Sequence, residues 1–233
     1  MKASDEKPTT FMTSFYRRLG RLLVGLVGFG VSLAFMVRAE LGLGPWDVLH
    51  QGVAERTDLK IGTVVIVMSA LVLVLWVPLR QRPGLGTLAN VVVVGLAVNA
   101  TLALLPGADH LAARLILLVT GIVGNGVATG MYIGAGLGSG PRDGLMTGLA
   151  QRGRSIRLAR TLIELSVLGV GWALGGPVGI GTVAYAIGIG PLAHYFIPKL
   201  TIGPATESSS CGFSHHDPTC IPGEVEWRDC CSA

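Results

Sequence analysis

Two aspartates stand in the same six-residue setting, Gly-x-Gly-Pro-x-Asp, once at Gly42–Asp47 and once at Gly138–Asp143. Each residue type has a local use. Proline suits the first position of a helix, where its missing N–H costs nothing. Gly44 and Gly140 suit the cap before it. Asp47 and Asp143 then fall in the first helical turn, where a carboxylate favours the positive end of the helix dipole. Capping therefore explains the motif without a ligand. A compatible second use is binding. Broken helices can present backbone groups and side chains to a solute when they line a cavity inside a membrane protein. A carboxylate at that end suits a cation, an amine or a proton better than an anion. The copies differ before the aspartate, Trp46 against Arg142. Topology alone can account for that difference, since arginine favours the cytoplasmic side; an Arg142–Asp143 gate is the functional alternative.

Four further groups could do chemistry. Glu164 is the most conspicuous acid in an apolar stretch, and ionisable groups at membrane depth are costly. Arg160 lies four residues earlier, the spacing of a helical ion pair. Asn90, Asn99 and Asn125 are suited to hydrogen bonds between helices. His194 could do the same or carry a proton. The cysteines, Cys211, Cys220, Cys230 and Cys231, stand near His215 and His216 in a polar tail, but their spacing matches no zinc pattern. No metal and no cofactor is expected. A nucleophile elbow, a Walker motif and a dinucleotide-binding unit are all missing, which argues against an enzyme.

The elements that hold these groups are apolar helices. Half of the 233 residues are hydrophobic, 14% are charged, and the mean hydropathy is +0.60. Soluble domains carry about 25% charge. The composition predicts an all-α polytopic membrane protein. The net charge of +4 lies in loops flanking apolar spans, so nucleic acid is not an expected partner; the lipid bilayer is. Six spans are expected, near Leu19–Val37, Ile61–Leu79, Leu85–Leu105, Leu111–Ile133, Leu158–Leu174 and Val178–Ile197. The segments after each Gly-x-Gly-Pro-x-Asp are too short to cross and predict two re-entrant or interfacial helices.

The membrane body is also written twice. Shifted by 96 residues, Arg18–Ala54 lies on Arg114–Ala150, with 17 of 37 positions identical. After a one-residue deletion, Gly84–Thr87 lies on Gly179–Thr182 and Asn99 on His194. The expected organisation is a polar tail over 1–16, one repeat over 17–106, a second over 107–200, and a disordered tail over 201–233. Three spans per repeat is an odd number, so tandem copies enter the bilayer from opposite sides as an inverted repeat. Fourteen Lys and Arg fall on one side of this topology and four on the other, which predicts cytoplasmic termini. Gly126, Gly130 and Gly134, spaced by four, predict a face where helix backbones approach closely, between the first and fourth spans, and such faces permit a homodimer.

These residues carry a resemblance. The repeated Gly-x-Gly-Pro-x-Asp after spans one and four, with Gly84–Thr87 and Gly179–Thr182 opening spans three and six, resembles the YczE/YyaS/YitT family of bacterial membrane proteins. It covers about 17–200 and omits the tails. It implies a protein of the bacterial inner membrane and brings no established substrate or catalytic residues. The functional expectation is a small secondary transporter with its site between the repeats. The alternative is a non-transporting scaffold or accessory protein.

Overall fold

A computed structural model describes residues 8–79, 81, 83–150 and 156–202. Eight helices follow one another among the described residues, and there is no strand. They are α1 (Pro8–Ala39), α2 (Pro45–Thr57), α3 (Ile61–Leu79), α4 (Leu85–Leu104), α5 (Leu111–Gly134), α6 (Pro141–Ala150), α7 (Ile156–Ala173) and α8 (Ile180–Leu200). The helix α1 begins at Pro8, within the tail expected to be loose. The tail over 203–233, with its cysteines and histidines, lies outside the described residues.

Five helices are long and apolar enough to cross a membrane: α1 from Phe15, α3, α4, α5 and α8. The sixth expected span, α7, has the length but carries Arg157, Arg160 and Glu164 in its first half. The short helices α2 and α6 start at the prolines of the two motifs. Seven of the thirteen residues of α2 are buried, from Trp46 to Ala54, so this helix is enclosed by others rather than lying on a surface.

The repeat is visible in how helices pair. The first helices of the two repeats, α1 and α5, pack along each other. The α1–α4 pair matches α5–α8, and α2–α7 matches α6–α3. Thus each short helix rests on a helix of the other repeat. One pair breaks the correspondence. Helix α3 packs along α4, whereas α7 and α8 make no comparable contact among the described residues.

Glycines set these approaches, in an arrangement partly different from the one expected. The α1–α5 crossing uses Gly25, whose added methyl would lie 2.8 Å from Tyr132 N, and Gly121, 2.9 Å from Ser32 O. The Gly126, Gly130, Gly134 row instead faces Leu192, Phe196 and Leu200 of α8. Its repeat partner Gly30 faces Ala97 of α4 in the same way. Periodicity identified a packing face but could not say which neighbour it met. This row, on which a homodimer could have been built, is occupied within the chain.

The motifs close the fold. Both helix breaks put glycine in a positive-φ conformation, Gly42 at +112° and Gly138 at +133°. Just before each, a carbonyl accepts from the N-terminus of a helix in the other repeat: Gly181 N–H donates to Leu41 O at 2.8 Å, and Gly86 N–H to Leu137 O at 2.9 Å. Both donors belong to the first turn of a helix, which has no intrahelical acceptor for them. The Thr87 hydroxyl adds a donation to Ser139 O at 2.7 Å. A methyl on Gly42 would lie 2.7 Å from Gly179 N, so the site excludes it by space as well as by backbone angle.

Gly42→Ala and Gly138→Ala are therefore expected to lower stability by about 1–3 kcal/mol each, the usual range for a side chain forced into such a conformation. Gly107→Ala, with nothing within 4 Å of the new methyl, is the control that leaves stability unchanged. Thermal unfolding of the three variants in detergent checks this.

Candidate functional site

Between the repeats lies a cavity of about 750 Å³. It is walled by repeat-related positions: Gly44 with Gly140, Asp47 with Asp143, Trp46 with Arg142, Phe29 with Asn125, and Ser69 with Glu164. The residues expected to form a site, Gly44, Asp47, Gly140, Arg142, Asp143, Glu164 and His194, all line it.

The motif positions its aspartates as capping geometry requires. Gly44 caps α2 in an extended conformation, Pro45 is the first helical residue, and Asp47 N–H bonds to Gly44 O at 2.9 Å. The side chain of Asp47 has a second set of contacts. It is 1% exposed, and its Oδ1 accepts from the Arg142 guanidinium at 3.2 Å. Arg142 therefore reaches across to the other repeat, and the expected Arg142–Asp143 gate is not what forms. Nδ1 of His50, equally buried, lies 3.4 Å from both Asp47 Oδ1 and the Arg142 guanidinium. The guanidinium also stands over the Trp46 ring, 5.3 Å from its centre. A buried carboxylate needs such partners, because removing a charge from water is costly unless it is paired.

Asp143 is held differently. Its Oδ2 accepts from the Tyr132 hydroxyl at 2.8 Å, and no cation pairs with it among the described residues. Glu164 pairs with Arg160 at 2.9 Å, as the spacing predicts, and both face the cavity. His194 lines the cavity and is exposed. Asn99 does what an interhelical asparagine is expected to do: its Oδ1 accepts from Gly62 N–H at 3.0 Å, at the start of α3. Asn125 does not. It is fully buried, it lines the cavity, and neither its amide oxygen nor its amide nitrogen has a partner among the described residues. The indole N–H of Trp46 is likewise buried and unpartnered.

Two contributors were not singled out from sequence. His50 follows Asp47 by three residues, which puts both on one helical face, and that spacing was the available signal. Tyr132 carried no signal, because its meeting with Asp143 depends on how α5 and α6 fold back on each other. Among the described residues no group of three or more His, Cys, Asp or Glu could hold a metal ion.

This is a polytopic helical membrane protein with a repeated core. The chain belongs to a family of unknown function, DUF6198, whose description matches residues 16–198. It is 40% identical over 190 residues to an uncharacterized protein of Haemophilus influenzae, covering 81% of this chain and 87% of the relative. It is 34% identical over 177 residues to the uncharacterized membrane protein YczE of Bacillus subtilis, covering 75% and 81%. With YyaS of the same organism it shares 28% over 192 residues, covering 80% and 93%. The resemblance to the YczE and YyaS proteins read from the motifs thus holds. No solved structure matches the chain.

The Asp47–Arg142 pair is the main polar contact between the two motifs. Asp47→Ala should leave Arg142 and His50 without their buried acceptor and destabilise by on the order of 3 kcal/mol. The paired change Asp47→Ala with Arg142→Met should recover most of that loss. A double-mutant cycle in detergent, read by thermal unfolding, gives the coupling directly.

Proposed function

We propose that this protein is a small secondary transporter, moving a small solute or ion through the central cavity by alternating exposure. One observation carries the reading: both copies of the motif meet in a single cavity, and polar contacts rather than a continuous apolar core join them there. Sites at the meeting of two repeats, built from broken helices, are the usual arrangement in secondary transporters. In this reading the two repeats stand inverted in the bacterial inner membrane, with cytoplasmic termini, as the Lys and Arg distribution favours. Rocking one repeat against the other would break and remake the Asp47–Arg142 contact.

The test needs no knowledge of the solute. Thr129 lines the cavity on α5. In a chain whose four native cysteines are serine, Thr129→Cys is exposed to a membrane-impermeant thiol reagent in right-side-out and in inverted vesicles. Alternating access predicts labelling from both sides, with the ratio of the two rates changed by Asp47→Asn. Labelling from one side only, whatever the variant, removes the transporter reading and favours the non-transporting scaffold.

A further inference from the structure

The charges around the cavity do not balance. Asp47 is matched by Arg142 at 3.2 Å, and Glu164 by Arg160 at 2.9 Å. That leaves Asp143, whose one bonded neighbour among the described residues is the neutral Tyr132 hydroxyl. A neutral donor satisfies a lone pair but does not neutralise a carboxylate. Among the described lining residues, with histidine neutral, three acidic side chains (Asp47, Asp143, Glu164) therefore face two basic ones (Arg142, Arg160), a match for a single positive charge on the occupant.

A second observation is independent of charge. Asn125 is fully buried on the cavity wall with a free donor and a free acceptor, and Trp46 adds a free indole N–H. Buried polar groups without partners are rare in folded proteins, and each calls for an account. Among the described residues that line the cavity, these two are the ones whose buried side-chain polar atoms lack a partner. An occupant with an uncharged oxygen group would accept from Trp46 and from the Asn125 amide nitrogen. A hydroxyl would also donate to the Asn125 oxygen.

We propose that the cavity binds a small monocationic amine bearing an uncharged oxygen function, its ammonium at Asp143 and its oxygen end at Asn125 and Trp46. This rests on the transporter reading for its purpose and goes beyond it in naming the substrate class. Aromatic walls support the choice: Phe29, Trp46, Tyr132 and Tyr185 line the space, and ring faces attract ammonium groups. A volume near 750 Å³ is in the range of small-molecule sites, about 300–1,000 Å³. A bare metal cation would use Asp143 and the Asn125 oxygen but leave both N–H donors unmatched. An anion would face Asp143 unshielded.

The experiment uses matched probes on the full chain in detergent. Tyramine, tyrosol and hydroxyphenylacetate share one skeleton and end in an ammonium, a hydroxyl and a carboxylate. Ethanolamine, ethylene glycol and glycolate repeat the comparison at smaller size, and sodium and potassium chloride are run alone. The amines should raise the unfolding temperature and the other probes should not. Asp143→Asn and Asn125→Leu should each weaken amine binding at least about tenfold. Asn125→Leu without ligand should be as stable as the parent, because its amide has no partner to lose. A less stable Asn125→Leu that keeps full amine affinity would overturn the proposal, since the residue would then be structural. So would a shift given equally by the hydroxyl or carboxylate probes, a shift reproduced by the salts alone, or no shift by any probe. Amine binding together with one-sided labelling of Thr129→Cys upholds the site and overturns the transporter reading; binding of another class with two-sided labelling does the reverse.

Discussion

A chain that leaves helical geometry where it is buried must satisfy its backbone groups without water. That constraint organises this protein. The breaks after α1 and α5 each free a carbonyl, at Leu41 and Leu137, and each α-helix start at α8 and α4 frees an N–H, at Gly181 and Gly86. Neither repeat closes this account internally. The carbonyl of one repeat takes the N–H of the other, in both directions, so the two halves are obligatory partners. The glycines follow from the approach this requires: a Cβ at Gly42 or Gly138 would run into Gly179 or Thr87.

The polar residues of the two motifs are placed by those two clasps. They bring the N-termini of α2 and α6 to face each other, which sets Trp46, Asp47, Arg142 and Asp143 together. Each short helix then lies on the third helix of the opposite repeat by a size exchange. Trp76 of α3 covers Gly144 of α6, while the repeat-related Gly171 of α7 receives the backbone of Val48 and Leu49 of α2. The unmatched seam between α7 and α8 belongs to the same picture. Helix α7 carries the Arg160–Glu164 pair toward the cavity, and a helix with charges on that face has less apolar surface to close against its neighbour.

The helix boundaries were legible because they depend on local chemistry. Pro45, Pro141, Gly84 and Gly179 mark helix starts wherever they occur, and α3 spans the expected Ile61–Leu79. The equivalence of the repeats was legible too, since identity at a fixed offset needs no structure to be seen. What the offset cannot give is contact. It equates Asp47 with Asp143 but does not say that Arg142 reaches Asp47 rather than its own neighbour. It equates Gly126 with Gly30 but not that both turn away from the α1–α5 crossing. Asn125 illustrates the limit most clearly. As a residue type in a span it is indistinguishable from Asn99, yet one caps α3 and the other faces the cavity without a partner. Only the third dimension separates them.

Trp46 and Arg142 occupy the same place in the two copies and touch each other, ring against guanidinium. A position that meets its own counterpart in this way behaves like a residue on the axis of a symmetric dimer, where each side must present the same group. A protein assembled from two identical subunits could offer there two tryptophans or two arginines, the latter repelling. Carrying both copies in one chain lifts that restriction. The two positions can diverge independently, and a cation facing an aromatic ring is an arrangement that two identical subunits cannot form from equivalent positions. The Trp46–Arg142 difference between the two motifs thus records what duplication within one polypeptide permits and strict symmetry forbids.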